Sequence, residues 1–116
     1  MTESITNSSD WIKVTDFIKA RFEKEPDVRG ILFIIGLREM GFNKTKFTKE
    51  QKQDLMNLGA CTVLSLSGYF RISSVDIEGW PSFEQILPIP AYSNADQETI
   101  LMEHIIKYFK QQGLII

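Results

Sequence analysis

Asp27-Val-Arg-Gly-Ile-Leu-Phe-Ile-Ile-Gly-Leu-Arg-Glu-Met-Gly41 decides how this chain folds. Its middle, Ile31 to Leu37, has no charged or polar side chain. A helix that is apolar on every side belongs at the centre of a domain, with the other elements packed round it. The run is shorter than the roughly 20 apolar residues needed to cross a bilayer. Asp27 is a natural N-cap, because its carboxylate can accept a free backbone N–H at the positive end of the helix dipole. Gly41 fits the left-handed position that ends a helix. Gly36 inside the run costs about 1 kcal/mol against alanine. The expected compensation is close approach by another helix, and Gly59-Ala60 offers a flat spot where that helix could pass.

Three further helices follow from the sequence on either side. Trp11, Val14, Phe17, Ile18, Arg21 and Phe22 recur at helical spacing after Ser9 or Asp10, either of which can cap. Arg21 is the polar exception in that stripe, with a stem able to cover apolar neighbours while its head reaches water. Pro26 stops this helix, since the residue before a proline disfavours the α region. Thr48 with Gln51 three residues on forms a capping box and starts a helix with the stripe Leu55, Met56, Gly59, Ala60, Val63 and Leu64. Ser93 with Asp96, or Asn94 with Gln97, opens the last helix, whose stripe is Ile100, Leu101, His104, Ile105, Tyr108 and Phe109. Gly113 ends it, with Leu114 placed to meet Phe109 in a Schellman arrangement. The helices are expected near 10–25, 28–40, 49–66 and 94–112.

Between the third and fourth helices the period changes. Phe70 and Ile72 alternate with polar residues, and after an offset so do Val75 and Ile77, which predicts two short strands within 69–78. Ser73-Ser74 would have to be their turn. Gly79-Trp80-Pro81 closes the segment, and Pro88 and Pro90 keep 82–92 extended or looped. Phe83, Ile86, Leu87 and Ile89 are its expected anchors.

The bulk numbers fit one soluble domain. The chain has 116 residues, 43% hydrophobic and 24% charged, which are ordinary globular values. Residues 1–8 read as a disordered polar tail and 9–116 as a single helical domain. The net charge of −2 argues against nucleic-acid binding by the surface as a whole. Cys61 is the only cysteine, so no intrachain disulfide forms. The polar first residues lack the charged-then-apolar build of a signal peptide, and the cytoplasm is the expected compartment.

Few residues point to chemistry. One Cys and one His cannot make a zinc site of three or four such ligands, and no metal or cofactor is called for. There is no phosphate loop and no nucleophile elbow. Asp76 and Glu78 would point the same way on a strand, as a solvated edge or half of a carboxylate site. His104 shares its face with Leu101, Ile105 and Tyr108, as a packed boundary histidine does. Cys61 sits in mid-helix, where a thiol packs rather than reacts. The basic run Lys44-Thr-Lys46-Phe-Thr-Lys49-Glu-Gln-Lys52 precedes a strand pair, in the order of a winged helix-turn-helix. The helix it opens, however, continues with apolar residues where a DNA reader needs polar ones. Tyr69, Phe70, Trp80, Phe83 and Tyr92, with His104, remain as candidates for a ligand or partner surface.

Glu39-Met-Gly41, Phe47-Thr-Lys-Glu-Gln51, Asp54-Leu-Met56, Gly68-Tyr69 and Gly79-Trp80-Pro81 form an ordered set of short signals over about residues 30 to 110. In these the chain resembles a family of small uncharacterised bacterial proteins without assigned activity, cofactor or catalytic residue. The resemblance implies a bacterial, cytosolic, single-domain protein and carries over no site. The sequence thus predicts a mainly α fold, a compact bundle of about four helices with a short extended or β segment between the third and fourth. The leading expectation for function is a non-enzymatic binding or assembly module whose partner is itself, as a homo-oligomer, or another protein. A small enzyme or apolar-ligand binder using the 69–92 aromatic segment is the alternative, and DNA binding the third.

Overall fold

Capping residues and glycines set the ends of the helices. The computed structural model describes residues 8–22, 26–42 and 46–116, in the order α1 (Ser9–Phe22), α2 (Val28–Met40), α3 (Lys49–Ser65), β1 (Phe70–Val75), β2 (Pro81–Gln85) and α4 (Asn94–Gln111). The architecture is the expected four helices with a two-stranded antiparallel sheet between the third and fourth. The expected tail at 1–7, the last turn of the first helix at 23–25 and Lys44 lie outside the described residues.

The cap of α1 falls one residue before the expected pair. The Ser8 hydroxyl accepts from the Trp11 N–H at 3.2 Å, and Asp10 instead pairs with Lys110 of α4 at 2.9 Å. Asp27 caps α2 by accepting the Gly30 N–H at 2.7 Å, and Gly41 ends it at φ 69°. The Thr48–Gln51 capping box opens α3 with both reciprocal bonds, 3.1 and 3.0 Å. Ser93 caps α4 through the Asp96 N–H. Gly113 closes it as a full Schellman motif, with Leu114 N–H on Phe109 O and Gly113 N–H on Lys110 O.

Two helices cover the apolar run of α2. Helix α3 crosses it antiparallel, with Gly36 against the Leu55 backbone and Gly59 against the Leu32 backbone. Gly36 therefore meets Leu55, one helical turn from the expected Gly59-Ala60. Gly59 belongs to the same crossing, and Ala60 lies half-buried beside the core. Helix α4 lies on α2 and on α1, where Phe17 and Phe109 meet edge to face at 5.5 Å. Val14, Ile18, Ile31, Ile35, Val63 and Ile105 lie fully buried among them. Leu58 and Met102 are also buried, outside the expected stripes.

The strand reading needs correction. Residues 69–78 hold one strand, and its partner is Pro81–Gln85, where the sequence predicts a chain extended or looped from 82 on but not paired. The register is Phe70↔Gln85, Arg71↔Glu84 and Ile72↔Phe83, then Ser74↔Ser82 and Val75↔Pro81. Ser73 is an extra residue, a bulge rather than a turn. The turn lies at Asp76 to Trp80. There Asp76 Oδ1 accepts the Glu78 and Trp80 N–H groups, each at 2.9 Å, and Gly79 takes φ 91°. Asp76 is thus a turn former, and the same-face carboxylate pair with Glu78 does not arise. The chain makes this turn where Asp and Gly supply the chemistry, and Ser73-Ser74 cannot.

Candidate functional site

The bulge sorts the hairpin into two faces. Side chains alternate along a strand, so Phe70, Ile72, Phe83 and Gln85 share one face, and the extra residue returns Val75 and Pro81 to it. Arg71, Glu84, Ser74 and Ser82 take the other face, with an Arg71–Glu84 ion pair. The apolar face leans on α3. Trp80, Pro81 and Phe83 oppose Asp54, Asn57, Leu58 and Cys61 across an open cleft of about 270 Å³. Trp80 also meets Phe42 after α2, ring centres 5.7 Å apart, and so pins the turn end of the hairpin. Burial raises the Cys61 thiol above its ordinary pKa, which disfavours the thiolate.

The candidate residues separate into three places. Tyr69 and His104 touch, ring centres 5.8 Å apart, at the exit of α3. Phe70 packs half-buried against the core beside them. Trp80 and Phe83 line the cleft over α3. Tyr92 stands alone and 91% exposed before α4. Strand and helix periods tell which face a side chain takes but not which distant neighbour it meets.

His104 has a partner that its own helix does not reveal. Gly68 ends α3 at φ 80°, with Tyr69 N–H on Leu64 O and Gly68 N–H on Ser65 O, and this turns Ser67 toward α4. The Ser67 hydroxyl lies 2.7 Å from His104 Nε2, and His104 Nδ1 lies 2.7 Å from the Ile100 carbonyl. A carbonyl only accepts, so Nδ1 carries hydrogen, and in the neutral ring Nε2 accepts from Ser67. Lys107 Nζ donates to Ser67 Oγ at 3.3 Å and to the Leu66 carbonyl at 3.4 Å. A positive group on the last carbonyls of α3 suits the helix dipole. The imidazole is buried and both its nitrogens are engaged within the fold. Neither Ser67 nor His104 lines the cleft over α3. In the sequence Ser67 carries no signal beyond standing next to Gly68, whose type breaks a helix.

A second surface lies between α1 and α2. Both helices rest on α4, and between them run two adjoining clefts of about 410 Å³ each, sharing Ile18, Phe22, Ile34 and Leu37. One continues to Arg21, Arg38 and Phe42, the other to Pro26, Asp27 and Phe33. The all-round apolar character of α2 is the sequence signal for this groove, because packing by α3 and α4 alone would not need an apolar residue on every side. At its rim Arg38 Nη1 donates to Gln112 Oε1 at 2.8 Å and to the Tyr108 hydroxyl at 3.1 Å. Tyr108 in turn donates to Glu39 Oε2 at 2.6 Å. Burial, and then the bond to Glu39, push the Tyr108 phenol up to about 12. The Arg21 guanidinium carbon lies over the Phe17 ring at 3.6 Å, so the head group itself rests on an aromatic of the stripe.

Among the described residues, no group of three or more His, Cys, Asp or Glu gathers as metal ligands, and no helix is long and apolar enough to cross a membrane. Lys49 and Lys52 stand exposed at the start of α3 together with Glu50 and Asp54, so that surface carries both signs of charge. No family model, curated protein or solved structure matches the chain.

Proposed function

We propose that this protein is a non-enzymatic assembly module that pairs with a second copy of itself through the hairpin and the 86–92 segment that follows it. One observation carries the reading. Of nine large hydrophobic side chains exposed among the described residues, six fall within 72–92: Ile72, Val75, Ile77, Ile86, Leu87 and Tyr92. Exposed apolar residues scattered singly are normal, whereas a large contiguous apolar patch marks an interaction surface. In the proposed pairing Ile72, Val75, Ile77, Ile86 and Leu87 join in one such patch, with Tyr92 apart. A two-stranded sheet has two unpaired edges and is marginal alone, so this hairpin gains by adding strands or by burying Ile72 and Val75, the part of its apolar face that α3 leaves exposed. A second copy brings the same patch, and a two-fold pairing of like surfaces is the commonest way for a chain to close on itself. The engaged nitrogens of His104 and the dispersal of the aromatic residues count against the enzyme reading.

Sedimentation equilibrium over a range of concentrations tests this. The chain is expected to form dimers that the double variant I72S/I77S dissociates, with the helical circular dichroism unchanged. A strict monomer at high concentration, or a dimer indifferent to both substitutions, would overturn it.

A further inference from the structure

We infer that the groove between α1 and α2 binds a free medium-chain aliphatic carboxylate, with its head on Arg21 and Arg38 and its tail along Phe22, Ile34 and Leu37. This site shares no residue with the hairpin surface and does not depend on the proposed assembly.

The size of the groove points to a small ligand. Two connected clefts of about 410 Å³ each lie within the range of small-molecule sites, which are mostly apolar with a few placed polar groups. A folded partner would need a far larger contact, about 800 Å² on each side. The floor is apolar and only partly covered: Ile34 and Leu37 are half-buried and Phe22 is 48% exposed.

Charge selects the head group. Among the described residues, the charged ones lining the first cleft are Arg21 and Arg38, with no carboxylate beside them in that lining. Among the described residues, the hydrogen bonds of each arginine engage Nη1 alone, to Phe17 O for Arg21 and to Tyr108 and Gln112 for Arg38. The remaining N–H groups can take a carboxylate in the forked geometry that guanidinium favours.

The far end sets tail length and direction. The second cleft stops at Pro26, Gly30 and Asp27, whose carboxylate already caps α2. A negative group there repels a second acid, so the ligand is a monocarboxylate with its head at the arginines. Arg38 to Gly30 spans eight residues of helix, about 12 Å at 1.5 Å per residue, which suits a medium chain and not a long one.

Isothermal titration of the whole protein with decanoate, decanol and anionic phosphatidylglycerol vesicles tests the inference. Decanoate is expected to saturate at one per chain and decanol to bind at least roughly tenfold more weakly, as loss of a charge-assisted bond implies. R21Q and R38Q are each expected to weaken decanoate roughly tenfold on the same ground. R21Q matters most, because Arg21 bonds only within its own helix. I34W fills the floor without touching charge and is expected to abolish binding while the thermal melt stays cooperative. The hairpin variant I72S/I77S is expected to bind decanoate normally. No saturable binding, equal affinity for acid and alcohol, arginine variants without effect, or binding to vesicles but not to free decanoate would each overturn it.

Discussion

Gly36 of α2 lies against the carbonyl of Leu55 in α3, so closely that a methyl group on Gly36 would stand 2.9 Å from the Leu55 carbonyl carbon and overlap its oxygen. Gly59 repeats the relation with Leu32 at the same 2.9 Å. In each helix the glycine and the leucine are four residues apart, one turn, so the crossing is reciprocal. Backbone approaches backbone at both points, and neither side has a flexible group that could yield.

G36A and G59A are therefore expected to destabilise the fold by about 1–3 kcal/mol each, the usual cost of forcing volume into a packed interior. In an open helix the same change would stabilise by about 1 kcal/mol. Urea unfolding of the two variants decides between these signs. Neutral or stabilising alanines would mean that the helices do not cross this tightly.

Features made by local chemistry were legible in the sequence. Asp27, Thr48 with Gln51, Gly41 and Gly113 act on groups three to five residues away, and all four do what their spacing predicts. Gly36 announced a close approach, but its partner Leu55 depends on a crossing that no local pattern encodes. The hairpin shows the same divide. The shift in alternation between Ile72 and Val75 is visible in the residues, yet its cause is a bulge at Ser73, defined by Phe83 and Ser82 across the turn. The candidate residues separated for this reason too. Tyr69 meets His104 only because Gly68 turns the exit of α3 toward α4, while Tyr92 shares their composition and none of their contacts.

Ser67 is expected to hold His104 as the Nδ1–H tautomer. Nitrogen NMR of labelled protein, at a pH where the ring is neutral, should show hydrogen on Nδ1 and an accepting Nε2. S67A removes the donor from a buried acceptor and is expected to cost about 1–3 kcal/mol. A ring found with hydrogen on Nε2 in the wild type would contradict the bond to Ser67 as drawn, since the hydroxyl would then have to accept.

Asp76 is expected to control the hairpin alone. Its carboxylate oxygen gathers two N–H groups of the turn, and its own N–H donates to Trp80 O at 2.9 Å. D76A should open the turn locally at about 1 kcal/mol, the net worth of such bonds at an exposed site. Hydrogen exchange of the amides of Phe70–Val75 should quicken while those of α2 do not change. Unchanged exchange in the strand would show that Trp80 against Phe42 suffices to hold the turn.

Tyr108 gives the fold an alkaline limit. Its phenol is buried and donates to Glu39, and both effects disfavour the phenolate, raising the folded pKa from 10.0 to about 12. A raised folded pKa means that the folded state holds its proton more tightly than the unfolded chain does. The stabilisation is therefore fully present below pH 10 and is lost as pH rises through about 12. Urea unfolding across that window should show stability falling in the wild type. Y108F cannot ionise at this position, so its stability should lie about 1 kcal/mol lower at neutral pH from the lost hydrogen bonds and fall less steeply above pH 10. Tyr69 and Tyr92 are common to both proteins, so the difference between the two curves isolates Tyr108. If the curves run parallel from neutral pH to pH 12, the phenol does not titrate with the fold and its bond to Glu39 carries no linkage.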